Sequence, residues 1–247
     1  MYHNYQIKIE YDGTKFVGWQ SQKNGISVQE ILEKKLKKLL KKKIKIIGAG
    51  RTDKGVHAFG QSANFFFKGQ IKDKKTFLNS INFFLSNYLI SIIDLKKKSL
   101  KFNSRYNAKE RIYEYRIINR HSILALDKNR AWLIKKKLDL NLLKKGAKLL
   151  EGEHDFSTYR ASSCSAKSPL KKINSIKIKK KGENIFIQFS SKSFLQNQVR
   201  SMVGCLKYLS CKAWDLKKFK TVLESKDRKL CAPPAPACGL YLQKVIY

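Results

Sequence analysis

Along the first hundred residues the apolar positions switch between a period of two and a period near 3.6. Tyr5 to Glu10 alternates like a strand and ends at Asp12-Gly13, a turn signal. Ser27, with Glu30 three positions on, forms a capping box that opens a helix whose stripe is Ile31, Leu32, Leu36, Leu39 and Leu40. Ile44 to Ile47 then reads as a strand, Gly48 to Gly55 as a loop, and Phe59 to Phe67 as another strand. A helix near Thr76 to Leu85 and a strand from Leu89 to Leu95 complete a strand-helix-strand-strand-helix-strand order, the split βαβ arrangement.

The second half repeats the theme with insertions. Strands are expected at Arg111 to Asn119, Ile173 to Lys179 and Asn184 to Ser190, helices at Asp139 to Leu150 and Phe194 to Ser210, and a closing strand at Leu240 to Ile246. The Ser-rich stretch Tyr159 to Pro169 and the Pro-rich stretch Ala232 to Pro236 read as irregular connections. The order predicts an α+β protein of two related halves, residues 1–103 and 104–247, although no sequence identity links them. The most apolar stretch, Phe77 to Leu95, is broken by Asn79, Ser80, Asn82, Ser86 and Asn87, so it reads as helix then strand rather than a membrane span.

Charge changes the picture. With 53 Lys+Arg against 18 Asp+Glu the formal charge is +35, opposite in sign to a phosphate backbone, which makes nucleic acid the leading partner. A competing explanation is coding bias, because 44 of the basic residues are Lys, spread among many Ile and Asn. That excess makes the rarer Arg informative, since a retained guanidinium marks a position that needs its planar five-donor fork. Arg51, Arg105, Arg111 and Arg200 fall in motif-like segments. Five cysteines without a CxxC pair suggest neither a disulfide framework nor a zinc knuckle, and read as reduced thiols of a cytoplasmic protein. Residues Met1 to Glu10 lack the apolar core of a signal peptide.

The segment Gly48-Ala49-Gly50-Arg51-Thr52-Asp53-Lys54-Gly55-Val56-His57 carries the most information. Its glycines allow tight turns and close ligand approach, and they display an acid beside an arginine. Spacing alone favours a plain Asp-Lys-Gly turn. Tyr113, in a strand, reads from its position alone as a core aromatic. His57 and His154-Asp155 lack metal-ligand spacing, so no metal is expected. The lysines from Lys34 to Lys43 read mainly as a solvated helix face.

A series of ordered segments resembles the bacterial tRNA pseudouridine synthase A family over almost the whole chain. They are Tyr11-Asp12-Gly13-Thr14-Lys15-Phe16-Val17-Gly18-Trp19-Gln20, Ser27-Val28-Gln29-Glu30, the Gly48 to His57 loop, and Phe102-Asn103-Ser104-Arg105-Tyr106-Asn107-Ala108. Arg111-Ile112-Tyr113-Glu114-Tyr115, Leu150-Glu151-Gly152-Glu153-His154-Asp155-Phe156, Phe194-Leu195 with Val199-Arg200-Ser201-Met202-Val203-Gly204, and Gly239-Leu240-Tyr241-Leu242 complete the set. Departures at Ser86-Asn87, Ser104 and Arg111 bear on local loop geometry. The resemblance implies two ferredoxin-like halves forming one continuous mixed and antiparallel sheet, with helices on one side and a basic catalytic cleft. It implies a homodimer that isomerises uridines 38, 39 and 40 in the anticodon stem and loop of tRNA.

Residue by residue, the resemblance makes Asp53 the catalytic aspartate and Arg51 its companion. It makes Tyr113 the tyrosine that contacts the target base and Arg200 the arginine that resembles the aspartate's ionic partner, and it counts Tyr113, Arg51 and Arg200 as substrate-binding residues. The chemistry agrees. The bond from N1 to the ribose must break, the trapped uracil must turn, and C5 must join C1′. One carboxylate can serve as nucleophile or as base on the sugar, and nothing in the reaction calls for a cofactor. The absence of a second carboxylate near Asp53 in sequence argues against a two-carboxylate glycosidase. The rival reading is a non-catalytic RNA-binding protein on the same halves. Against it, Lys54-Gly55-Val56-His57-Ala58-Phe59 lacks the aromatic after Gly that an RRM stacking platform needs.

Overall fold

The computed structural model describes residues 1–22 and 24–247, and the chain divides into two compact units, Met1–Lys109 with Tyr241–Tyr247, and Glu110–Leu240. In the first, β1 (Tyr2–Tyr11), α1 (Val28–Leu40), β2 (Ile46–Gly48), β3 (His57–Lys68), α2 (Lys74–Leu85) and β4 (Ile90–Lys98) follow the expected order. The strands lie as β4-β1-β3 with β2 on the other edge of β3, every pair antiparallel. Ser27 caps α1 as its sequence indicates, its hydroxyl accepting from Glu30 N at 3.2 Å. Ile7, Ile9, Leu32, Leu36, Phe65 and Ile81 are fully buried, so the two helical stripes and the inward strand residues share one core.

The second unit holds β5 (Glu110–Asn119), β6 (Trp132–Ile134), α3 (Leu140–Leu150), β7 (Gly152–Asp155), β8 (Leu170–Lys181), β9 (Asn184–Ser191), α4 (Gln198–Ser210) and α5 (Leu216–Glu224). Its order β5-β9-β8-β7 repeats the first unit's β1-β3-β2 in β5-β9-β8, which is the split βαβ theme again. Strand β6 runs parallel beside β5. The last strand, β10 (Leu240–Ile246), pairs in parallel with β3 of the first unit, Tyr241 beside His57 and Leu242 beside Ala58. The chain is thus α+β with mixed strand directions.

Three features depart from the sequence pattern. Helix α4 starts at Gln198 rather than Phe194, because Asn197 adopts φ 63°, a left-handed conformation no helix interior accepts. Helix α5 is an added element: Asp215 accepts from Lys218 N at 2.7 Å to cap it, and Phe219, Val222 and Leu223 bury its stripe. Strands β6 and β7 are three and four residues long, too short for an alternation to register.

Close packing in the second unit relies on Gly204 of α4. A Cβ there would lie 2.2 Å from the carbonyl oxygen of Pro233, a backbone atom that cannot rotate away. Gly204→Ala should therefore destabilise the fold by about 1–3 kcal/mol from overpacking, outweighing the roughly 1 kcal/mol that alanine gains in a helix. Thermal unfolding should show a midpoint lowered by several degrees, at ~2–4 °C per kcal/mol for a chain of this size. A midpoint equal to or above the parent's would mean that the proline segment is not seated on the helix.

Candidate active site

The loop from Gly48 to His57 is held along its length by the segment from Tyr11 to Trp19 and by β3. Ala49 N donates to Ser62 O at 2.7 Å, and Gln61 Nε2 to Gly50 O at 2.8 Å. Trp19 N donates to Thr52 O at 3.0 Å, Gly55 N to Phe16 O at 3.4 Å, and the Tyr11 and Thr52 hydroxyls meet at 2.8 Å inside the core. The approach is so close that side chains are excluded. A Cβ on Gly13 would lie 2.0 Å from Val56 O, one on Gly18 2.5 Å from Thr52 O, and one on Gly48 2.4 Å from the Trp19 indole nitrogen.

Asp53 sits at the turn of this loop, between buried Thr52 and exposed Lys54. Val56 N donates to Asp53 O at 3.1 Å, and Gly55 has φ 77°, as the third position of such a turn requires. The turn reading and the catalytic reading are therefore compatible, because a turn closed through the backbone carbonyl of Asp53 does not preclude chemistry at its side chain. Arg51, two residues earlier, is exposed and makes no hydrogen bond or ion pair with any described residue.

His57 is buried, and its ring stacks on Tyr241 with centroids 4.7 Å apart. Gly13 N donates to its Nδ1 at 3.0 Å, and an Asp12 carboxylate oxygen lies 3.4 Å from the same nitrogen. His154 is likewise structural, its Nε2 2.9 Å from Glu151 O and its ring edge-on to Phe156. Among the described residues no three His, Cys, Asp or Glu side chains gather as a metal-binding group. All five cysteines are free thiols. Cys205 and Cys231 lie 3.5 Å apart, and the hydrogen bond between them lowers the Cys231 thiol while it raises that of Cys205.

In the second unit Tyr113 is 7% exposed, with its ring edge-on to Phe194 at 5.3 Å. Two residues on, the buried Tyr115 hydroxyl donates to Pro236 O at 2.7 Å, and burial pushes that phenol well above its ordinary range, so it remains a donor. Arg200 is half-buried on the first turn of α4; its Nε donates to Ala235 O at 2.7 Å and its Nη1 to Asn197 Oδ1 at 3.1 Å. The sequence-predicted residues thus gather as two groups. Arg51 and Asp53 share one loop of the first unit, while Tyr113 and Arg200 both lean on the turn of Phe194 to Asn197 in the second. Pattern reading missed Thr52, Asn197 and Ala235 as supports. Only Ala235 carried a signal, the prolines on either side of it.

The profile of a family described as "tRNA pseudouridine synthase" matches residues 7–107 and 147–247. The chain is 58% identical over 243 residues to tRNA pseudouridine synthase A of Pelagibacter ubique, covering 98% of this chain and 99% of that protein. It is 42% identical to the proteins of the same name from Parvibaculum lavamentivorans, over 98% of each chain, and from Ehrlichia canis, over 98% of this chain and 99% of that one. The chain belongs to the tRNA pseudouridine synthase family, and with it to the isomerases that act on tRNA. No helix among the described residues is long and apolar enough to cross a membrane.

The interlock gives a direct test. Gly18→Ala places a Cβ against Thr52 O at a position where φ is 120°, so both the clash and the backbone conformation oppose it. Stability should fall by roughly 1–3 kcal/mol, and at temperatures where the variant is folded, turnover on tRNA should fall about ten-fold or more as the loop shifts. Circular dichroism and a single-turnover assay on one preparation check both; full turnover in a folded variant would show that the loop's seat does not control the chemistry.

Proposed function

We propose that this chain converts uridine to pseudouridine at positions 38, 39 and 40 of the tRNA anticodon stem and loop, acting as a cytoplasmic homodimer with Asp53 as its catalytic carboxylate. The observation that carries the reading is the mounting of the Asp53 loop. Backbone hydrogen bonds and three side-chain-excluding glycines fix the loop. A binding protein has no need to spend such rigidity on one acid. Rigid mounting instead suits a reaction in which a single group must meet a sugar carbon or its proton within a few tenths of an ångström.

The other roles follow from what each side chain has to offer. Arg51 is exposed, with its donors unspent on the described residues, which suits a phosphate or ribose contact. Tyr113 presents a flat ring and a hydroxyl, and a uridine that has left its stack needs a face to lie against; that departure costs a few kcal/mol. Arg200 offers a guanidinium already fixed by two protein acceptors. The +35 charge supplies the sequence-independent attraction to tRNA that such contacts build on.

Pseudouridine mapping in bulk tRNA after incubation with the purified protein tests the whole reading, and new pseudouridine confined to positions 38–40 is the expected outcome. Asp53→Asn should abolish it while leaving tRNA affinity within a few-fold, because phosphate contacts supply most of the binding; turnover in that variant would remove Asp53 from the mechanism. Arg51→Ala should leave the unfolding free energy within about 0.5 kcal/mol of the parent's, as for an ordinary surface residue, and weaken use of tRNA. Unchanged KM and kcat would take Arg51 out of the substrate contact.

A further inference from the structure

We infer that Asn197 and the Ala235 carbonyl act as a splint that orients the Arg200 guanidinium, making Asn197 a positioning residue for the isomerisation. The inference rests on the reading of Arg200 as a substrate contact.

Three observations on the second unit carry it. Asn197 precedes α4 in the position where Ser, Thr, Asp or Asn ordinarily caps the first turn with its side chain, yet it makes no such bond. Its φ of 63° and ψ of −2° place it in the left-handed region instead, where asparagine is one of the few side-chain-bearing residues tolerated. From there its Oδ1 accepts from Arg200 Nη1 at 3.1 Å. The helix cap has been given up, and the side chain's hydrogen bond goes to Arg200.

The second acceptor is built with equal specificity. Within Pro233-Pro234-Ala235-Pro236 the prolines lack N–H groups, so Ala235 N is the segment's lone backbone donor, and it goes to Arg200 O at 2.9 Å. The carbonyl of the same residue accepts Arg200 Nε at 2.7 Å. Ala235 therefore grips both the backbone and the side chain of Arg200, on a segment whose prolines restrict φ at three of four positions. Gly204, one turn along α4, lets this segment approach, because a Cβ there would meet Pro233 O.

With two of its five donors taken by fixed acceptors, the guanidinium loses the freedom to swing about its stem, and the other three donors are those a substrate can engage. This explains a preference for Arg at position 200 in a chain so rich in Lys: an ammonium cannot bond two protein acceptors in one plane and still present a fork.

Glycine is the variant that isolates the claim. Asn197→Gly keeps the left-handed backbone without strain and removes only the acceptor, and the helix loses no cap because none was formed. Its kcat should fall about five- to ten-fold with KM for tRNA and the unfolding midpoint close to the parent's. Asn197→Asp, which retains Oδ1 and a tolerance for the same backbone, should recover kcat to within about three-fold. A lowered midpoint with normal kcat, or a glycine variant with kcat unchanged, would overturn the splint and leave Asn197 a purely structural residue. Arg200→Ala is measured alongside. If it turns over normally the substrate role of Arg200 fails; if it is impaired while Asn197→Gly is normal, the splint alone fails.

Discussion

Backbone-to-backbone contact between the segment Tyr11 to Trp19 and the loop Gly48 to His57 is the constraint on which the candidate chemistry depends. Two stretches of chain approach so closely that Gly13, Gly18 and Gly48 have no room for a Cβ, and their amides and carbonyls then satisfy one another. A loop displaying a carboxylate would ordinarily be mobile and would lose conformational entropy when it met its substrate. Here that cost falls in folding, and the Tyr11–Thr52 hydroxyl pair ties the loop into the core beside Asp53. Position is then a property of the free protein, which is the condition for efficient use of one acid.

The arginines divide in a way that supports the same reading. In a chain where Lys fills most basic positions, Arg111 donates to Lys192 O, Arg120 to Glu183 and two carbonyls, Arg160 to Cys164 O, and Arg228 to Thr158 O. Arg116 pairs with Glu114, and Arg200 with Ala235 and Asn197. These are forks used against fixed acceptors, several of them carbonyls that offer no charge to balance. Arg51 stands apart: it keeps the guanidinium yet bonds no described residue.

How much was legible in the sequence depended on whether the determining interaction was local. Ser27 and Glu30 announced α1 because a cap acts within four residues, and the period of two announced β1, β5 and β9 because a half-buried strand alternates whatever it pairs with. Asp53 was legible through its resemblance to a family motif, though its spacing alone could not separate a catalytic acid from a turn. Helix α5 carries a cap at Asp215 and a stripe from Phe219 to Leu223, both local signals, although it lies outside the elements expected from the pattern.

What only the tertiary structure decided were the pairings between distant residues. The sequence by itself determined two α+β halves, a strongly basic surface, and a short glycine-rich loop bearing Asp53. It could not determine that β10 closes on β3 of the first unit, since strand pairing is chosen by which edge remains open and not by anything within β10. Nor could it determine that Asn197 turns left-handed to meet Arg200, or that Ala235, 35 residues further on, completes the grip. Those geometries are stabilised by contacts whose partners are far apart along the chain, and a local pattern holds no record of them.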